Sequence, residues 1–371
     1  MTEDRAGQAS RLYAGPFPAL EEKLLSCLPE MFGRSRGEER VLLVPSNDLR
    51  EHLLRRLAAR WDGCAAGSSI MTLYDFAHRL LKHRGIFPRE LPPAQMAAAL
   101  LGAAREVYAR GEGDFAAIAG KPGFVPALAR TLADLDEGWI GDDALANAER
   151  EARARGNASK AARFSEWRRL AAAAEGKVRA MGGMTRRRIF QEAVAGFEQP
   201  GYPFRVTVYG FYDFTRLQWT LVAALLESGL LEDVYFPGLF DADGALSPAF
   251  GYAALTWDRL SRAFEGNVER LPDEAAPEIA DVRREIFSPG RPGEKRPAPF
   301  AVLSAPHEEG EMRLAARQVR EWRDAGPGEE ILLVARRVDE AAVSAWERAA
   351  AEYGIRTVER LAVPLSSVPP V

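Results

Sequence analysis

Residues 206–218 read VTVYGFYDFTRLQ, and this stretch decides the fold. Val206-Thr207-Val208-Tyr209 is β-branched and aromatic, the composition of a buried strand. Gly210 breaks it. From Thr215 the apolar positions Leu217, Trp219, Leu221, Val222, Leu225 and Leu226 recur at helical spacing. A strand that ends in a polar turn and feeds a helix is where an open α/β sheet presents residues to a ligand. The turn offers one carboxylate, Asp213, whereas a nucleotide-hydrolysing site needs an acidic pair at the strand tip to hold magnesium. The stretch therefore predicts an α/β sheet whose strand tip lacks half of that chemistry.

The same alternation extends upstream. Arg11 to Gly15 reads as a short strand, and Pro18 to Met31 as a helix. Val41-Leu42-Leu43-Val44 is a continuous apolar run before Pro45, as in a parallel strand buried on both faces. Ser46 or Asn47 caps a helix carrying Leu49, Leu53, Leu54 and Leu57. Ser69 to Leu73 is a further strand, leading into a helix with Phe76, Leu80 and Leu81. This order predicts a parallel sheet with right-handed crossovers.

From Pro92 long Ala-rich amphipathic stretches dominate: Ala94–Arg110, Phe124–Ile140, Ser159–Met181 and Arg186–Phe197. The charged segment Glu149 to Lys160 reads as a mobile connection. Downstream, Asp233 to Phe236 is a strand and Ala253–Phe264 a helix. Residues 288–299, SPGRPGEKRPAP, have linker composition. Strand, helix, strand, helix then recurs at Phe300–Leu303, Glu308–Ala325, Ile331–Val334 and Ala341–Tyr353. Domain boundaries follow: 1–91 with 200–287 as one α/β domain, 92–199 as an inserted helical subdomain, 288–299 as a linker, and 300–371 as the start of a second α/β domain. So few strands cannot close a core, so the 371 residues are expected to be a fragment of a longer protein.

Composition excludes several classes. Hydrophobic content of 47% and charged content of 27% are ordinary for a globular chain. A net charge of −4 argues against a basic surface over the whole chain, though not a local one. Two cysteines, Cys27 and Cys64, make neither a disulfide framework nor a zinc site. The four histidines, His52, His78, His83 and His307, show no metal spacing. So few cysteines suit a reducing cytoplasm, the location expected; no apolar run of about 18 residues is present, so no membrane span is expected.

Four places together resemble one family. VLLVPSNDLREHLLRRL from Val41, SIMTLYDFAHRLL from Ser69, VYGFYDFTRLQWTLV from Val208, and APHEEGEMRLAARQVREW from Ala305 with EILLVARR from Glu330 resemble, in order, the UvrD-like superfamily 1 helicases. More narrowly they resemble the N-terminal half of the AddB/RexB subunit of bacterial helicase–exonuclease complexes. The resemblance implies a P-loop NTPase-like parallel sheet with an inserted helical subdomain and the beginning of a second motor-like domain. It implies a role in DNA double-strand-break repair, with single-stranded DNA and a helicase–nuclease subunit of AddA type as partners. In that family a nuclease of the PD-(D/E)xK type lies further along the chain; no such segment occurs here.

The departures from an active helicase carry the functional expectation. A P-loop reads G-x-x-x-x-G-K-[ST]: glycines let backbone N–H groups wrap phosphate, the Lys reaches the β/γ-phosphates, and the hydroxyl holds magnesium. Counted from Gly15, Leu20 takes the second glycine's place, Glu21 the lysine's and Glu22 the hydroxyl's. Unit charges about 4 Å apart at a partly buried site interact by roughly 4 kcal/mol, so the reversal is decisive. The acidic motif is emptied too, with Tyr209 and Gly210 in place of the magnesium-binding Asp and the water-polarising Glu. The expectation is a pseudo-helicase with no catalytic residues, metal or cofactor in this segment. The alternatives are an active helicase with a divergent P-loop, and an α/β protein with an unrelated small-molecule site at Gly210–Thr215.

Individual residues carry two readings. Asp213 reads as a turn or N-cap carboxylate ahead of a catalyst, and Gln218 as a helix-surface residue or as the family's functional Gln. Candidate DNA contacts are Ser46, Asn47, Thr72, Tyr74, Arg336 and Arg337. Capping explains Ser46 and Thr72 equally well, and Tyr74 can stack on a base. Arg186-Arg187-Arg188 is a solvated helix start or a contact surface.

Overall fold

The computed structural model describes residues 10–33, 39–60, 69–198, 202–241, 243–275, 279, 301–326, 331–334 and 340–356. It divides into two compact units, 1–293 and 294–371.

The first unit is built on a sheet. In chain order it contains strand β1 (Arg11–Gly15), helix α1 (Phe17–Gly33), β2 (Glu39–Val44), α2 (Asn47–Arg60), β3 (Ile70–Thr72) and α3 (Leu73–His83). Helices α4 (Pro93–Val107), α5 (Phe124–Glu137), α6 (Asp142–Ala154), α7 (Ala158–Ala180) and α8 (Arg186–Ala195) follow. The sheet resumes with β4 (Phe204–Tyr209), α9 (Arg216–Glu227), β5 (Leu231–Pro237), α10 (Ala254–Ala263) and β6 (Val268–Arg270). The order across the sheet is β3-β2-β4-β5-β1-β6, and every pair is parallel. The α/β expectation and the parallel sheet hold; the short edge strand β6 was not legible in the sequence.

Side chains alternate between two apolar layers, because successive strand residues face opposite sides. Tyr13, Leu42, Val44, Tyr209 and Tyr235 pack under α1 and α2 with Leu20, Leu24, Leu28, Leu53 and Leu57. Leu12, Ala14, Val41, Leu43, Val206, Val208, Val234 and Phe236 face the other way, under α3, α8, α9 and α10. Both faces are covered, which is why these strands read as unbroken apolar runs. Helix α8 belongs to this layer: Ile189, Phe190 and Ala193 are buried there beside α3.

The helical segment has its own core, with Leu100, Ala103, Ala104 and Tyr108 of α4 against Phe124 and Leu128 of α5 and Leu170 and Ala174 of α7. The expected mobile connection at 149–160 is corrected. Helix α6 runs through it to Ala154, and buried Glu149 is held by Arg153 and by Arg168 Nη1 at 3.1 Å. Gly156, at φ +72°, stops α6, and Asn157 caps α7 by accepting from the Lys160 N–H at 3.0 Å. Gly and Asn here are punctuation between two helices.

The second unit contributes α11 (Glu308–Ala325) and α12 (Glu340–Glu352), packed through Ala316, Trp346, Ala349 and Ala350. Arg313 pairs with Glu352 at 3.1 Å. The strands expected at 300–303 and 331–334 are corrected: residues 301–304 and 331–334 form no strand, and Val302 and Leu332 are 84% and 83% exposed. A strand needs a neighbour's N–H and C=O groups, and no sheet occurs among the described residues of this unit. The linker at 288–299, and Arg336 and Arg337, lie outside the described residues.

Candidate functional site

The carboxyl edge of the sheet is where ligands settle in open α/β folds. Three turns meet the expectations there: Gly15-Pro16 after β1, Pro45-Ser46 after β2, and Gly210–Thr215 after β4.

No phosphate-wrapping loop follows β1. Only Pro16 separates Gly15 from α1, and the Leu20 N–H already donates to the Pro16 carbonyl at 3.0 Å. The residues that would form a P-loop are helix. Gly15 has a packing reason, since a Cβ there would lie 2.9 Å from Leu271 Cβ. Its carbonyl accepts from the Gly238 N–H at 2.9 Å.

Leu20 is fully buried in the α1–α2 layer. Glu21, 8% exposed, lies with one carboxylate oxygen 2.8 Å from His52 Nε2 and the other 3.1 Å from Arg56 Nε. His52 and Arg56 are one turn apart on α2, so they meet the same partner. Glu22 sits outside and pairs with Arg60 at 2.7 Å. The carboxylate expected at a P-loop lysine's position is, in the fold, a buried bridge between α1 and α2.

The tip of β4 is packed shut. Tyr209 is fully buried, with its ring 5.4 Å from Phe17 and 6.2 Å from Tyr235. Burial first, and the Glu21 carboxylate second, push its phenol far above the ordinary value, so it stays protonated. Its hydroxyl faces Glu21 without closing a hydrogen bond of normal geometry. Gly210 stands at φ +82°, and a Cβ there would lie 2.8 Å from Leu49 Cδ2. Only glycine fits that backbone. Phe211 and Phe214 are buried and stacked at 4.8 Å.

The remaining turn residues resolve into capping. The Gln218 N–H donates to Thr215 Oγ1 at 3.2 Å, and the Thr215 N–H donates to Gln218 Oε1 at 3.0 Å, a reciprocal cap on α9. Thr215, not Asp213, is the N-cap, and Asp213 stands exposed. Beside it Tyr212 and Tyr252, 49% and 59% exposed, meet edge to face at 5.5 Å.

The DNA candidates separate in the same way. Ser46 Oγ accepts from the Leu49 N–H at 3.2 Å, capping α2, and Asn47 is that helix's exposed first residue. Thr72 caps α3 reciprocally with Asp75. Val44 and Thr72 are register partners, so the β2 and β3 ends do lie side by side. Tyr74 is enclosed by His78 at 4.7 Å, Phe190 at 6.3 Å and the Arg186 guanidinium at 4.9 Å, which leaves its ring no face for a base. Arg186 also pairs with Glu137, Arg187 donates to the Ile140 carbonyl, and Arg188 pairs with Glu192. The arginine run is local structure.

The structure thus brings Phe17, Glu21, Leu49, His52, Arg56, Tyr209 and Gly210 together, and leaves Ser46, Thr72, Asp213 and Gln218 in capping or exposed roles. Phe17 and the Tyr212–Tyr252 pair were missed, because no spacing joins residues so distant in sequence. The four-residue spacing of His52 and Arg56 was a legible signal for a shared partner. Among the described residues no group of three or more His, Cys, Asp or Glu side chains can hold a metal, and no helix is long and apolar enough to cross a membrane. No protein-family model matches the chain, and no curated protein matches it.

Proposed function

We propose that the chain is a helicase-like module without ATP hydrolysis, a scaffold within a DNA double-strand-break repair nuclease that holds single-stranded DNA and a helicase–nuclease partner of AddA type. One observation carries this reading. Both halves of the expected nucleotide site are rebuilt as packing: α1 begins at Phe17 where a phosphate loop should run, and Tyr209 and Gly210 close the β4 tip. The strand order supports it, with β5 between β1 and β4, so the two tips flank one strand on a fully parallel sheet. A divergent but working P-loop is disfavoured by the same helix start, since Pro16 and Pro18 have no N–H to offer and the Leu20 N–H is already bonded to the Pro16 carbonyl.

Single-stranded DNA needs exposed aromatic faces. At this edge Tyr212 and Tyr252 offer them, and Tyr74 does not. Two titrations test the proposal. Calorimetry with magnesium-ATP is expected to give no binding; micromolar magnesium-dependent affinity overturns the reading. A labelled oligothymidylate is expected to bind with affinity that falls as salt rises. The Tyr212→Ala/Tyr252→Ala pair is expected to weaken it about tenfold. An oligonucleotide that does not bind, or binds the double variant equally, removes DNA from the proposal.

A further inference from the structure

Two cavities open in the helical segment, and their charges differ in kind. The one between α7 and α8, about 300 Å3, is lined by Glu175, Arg179, Arg188 and Glu192. These charges neutralise one another, Glu175 with Arg179 at 3.2 Å and Arg188 with Glu192 at 2.5 Å. Nothing there asks for a ligand.

The second cavity, about 570 Å3, lies between α4, the start of α5 and the chain joining them. Its lining includes the apolar side chains of Leu101, Ala104 and Val125 and the ring of Tyr108. The only charged residues lining it are Arg105 and Lys121. Neither side chain has a partner among the described residues, and both are exposed. No carboxylate lines the cavity, although the chain as a whole carries a net charge of −4. An apolar hollow edged by two unpaired cations is complementary to a ligand with apolar bulk beside negative charge.

The chemistry of the wall selects among such ligands. Nucleobases bind on open aromatic faces. The one ring here, Tyr108, is 8% exposed, lies edge-on to Phe124 at 6.2 Å, and directs its hydroxyl toward Glu166. The other uncharged side chains of the lining are aliphatic. We propose that this cavity is a docking site for a short segment of a partner protein that inserts aliphatic side chains between Arg105 and Lys121 and presents carboxylates to both. Charge-assisted pairs at the rim fix the segment's register, and burial of its aliphatic side chains supplies the attraction. The site does not rest on the helicase-like reading of the sheet.

Gly120 gives the test a clean handle. It lines the cavity, has no positive φ, and a Cβ built there meets nothing within 4 Å. Gly120→Leu therefore adds aliphatic bulk at the cavity's edge without strain. The probe is a fluorescein-labelled peptide, DDLIDLL, titrated with the full chain by anisotropy. Binding is expected, weakening as salt rises. Arg105→Glu and Lys121→Glu are each expected to weaken it about tenfold. Gly120→Leu is expected to weaken it as much, with thermal melting unchanged in all three. The peptides NNLINLL and DDSSDSS, lacking the charge and the apolar bulk respectively, are expected to bind at least about tenfold less tightly. A DDLIDLL peptide that does not bind, or binds all three variants like the parent chain, overturns the proposal. So does an oligothymidylate whose binding is lost in Arg105→Glu and Gly120→Leu while the peptide's is not.

Discussion

The Phe17 ring rests 5.4 Å from the Tyr209 ring, so the first residue of α1 covers the last residue of β4. The contact makes the strand tip part of the core. Tyr209→Phe removes only a hydroxyl that makes no hydrogen bond of normal geometry, and is expected to change stability by less than about 1 kcal/mol. Tyr209→Asp places a carboxylate at the strand tip, but deletes a fully buried aromatic and sets a second carboxylate beside Glu21. It is expected to destabilise by about 4 kcal/mol or more. Urea denaturation distinguishes them. A well-folded Tyr209→Asp chain would mean that the tip still has room for a metal-binding carboxylate.

Gly210 is constrained twice, and the two constraints can be separated. Its φ of +82° disfavours any side chain, and Leu49 Cδ2 would meet a new Cβ at 2.8 Å. Gly210→Ala is expected to destabilise by about 1–3 kcal/mol. Leu49 presents the far end of a flexible side chain, so it can turn aside. The double variant with Leu49→Ala is therefore expected to recover well under half of the Gly210→Ala penalty after the cost of Leu49→Ala alone is subtracted. A full recovery in that double-mutant cycle would assign the glycine to steric crowding and not to the backbone.

The sheet was legible because its strands are apolar on both faces, and Gly15, Pro45 and Gly210 mark where each strand ends. Helix α6 was not, because Glu149, Glu151, Arg153 and Arg155 give it the charge density of a loop. Only the fold reveals that Glu149 is turned inward to Arg168. The apolar runs at 300–303 and 331–334 read as strands, but strand pairing is a property of neighbours that a run of Val and Leu cannot supply. At the candidate site, the resemblance pointed to Glu21 and Tyr209, and the fold brings these two together. The resemblance could not show that α1 starts at Phe17, since helix onset there depends on Pro16 and on packing against β4.

Asp136 links stability to pH. Burial is the largest influence and pushes its carboxyl up to about 6, against the opposing pull of Arg187. The folded value lies above the ordinary 3.8, so the folded chain holds the proton more tightly than the unfolded chain. The contribution is fully present below about pH 4 and is lost as pH rises through about 6. Asp136→Asn removes the ionisation. It is expected to raise stability by up to about 2 kcal/mol near pH 8 relative to its effect near pH 4, and to flatten the dependence between them. Parallel pH profiles for the two chains would show that Asp136 is solvated in the folded state.

Trp139 is the only non-glycine residue at positive φ among the described residues, at +55°. It follows Gly138 at the end of α5, where its N–H donates to the Asp136 carbonyl at 3.0 Å and the Ile140 N–H donates to the Leu135 carbonyl at 2.8 Å. A left-handed residue there closes the helix, a place that glycine usually fills. The indole packs against the apolar layer beneath α8 and α9, so tertiary burial holds a conformation that the backbone disfavours. The two contributions oppose each other at one position, and a pair of substitutions separates them. Trp139→Ala loses the packing and keeps the strain, and is expected to destabilise by about 3 kcal/mol. Trp139→Gly loses the same packing and relieves the strain, so it is expected to be the more stable variant by about 1 kcal/mol, the reverse of the usual order for Gly and Ala near a helix. Denaturant midpoints for the two variants decide it. An alanine variant as stable as the glycine one would show that the chain leaves the left-handed turn once the indole is gone, and that the packing of Trp139 alone holds the end of α5 in place.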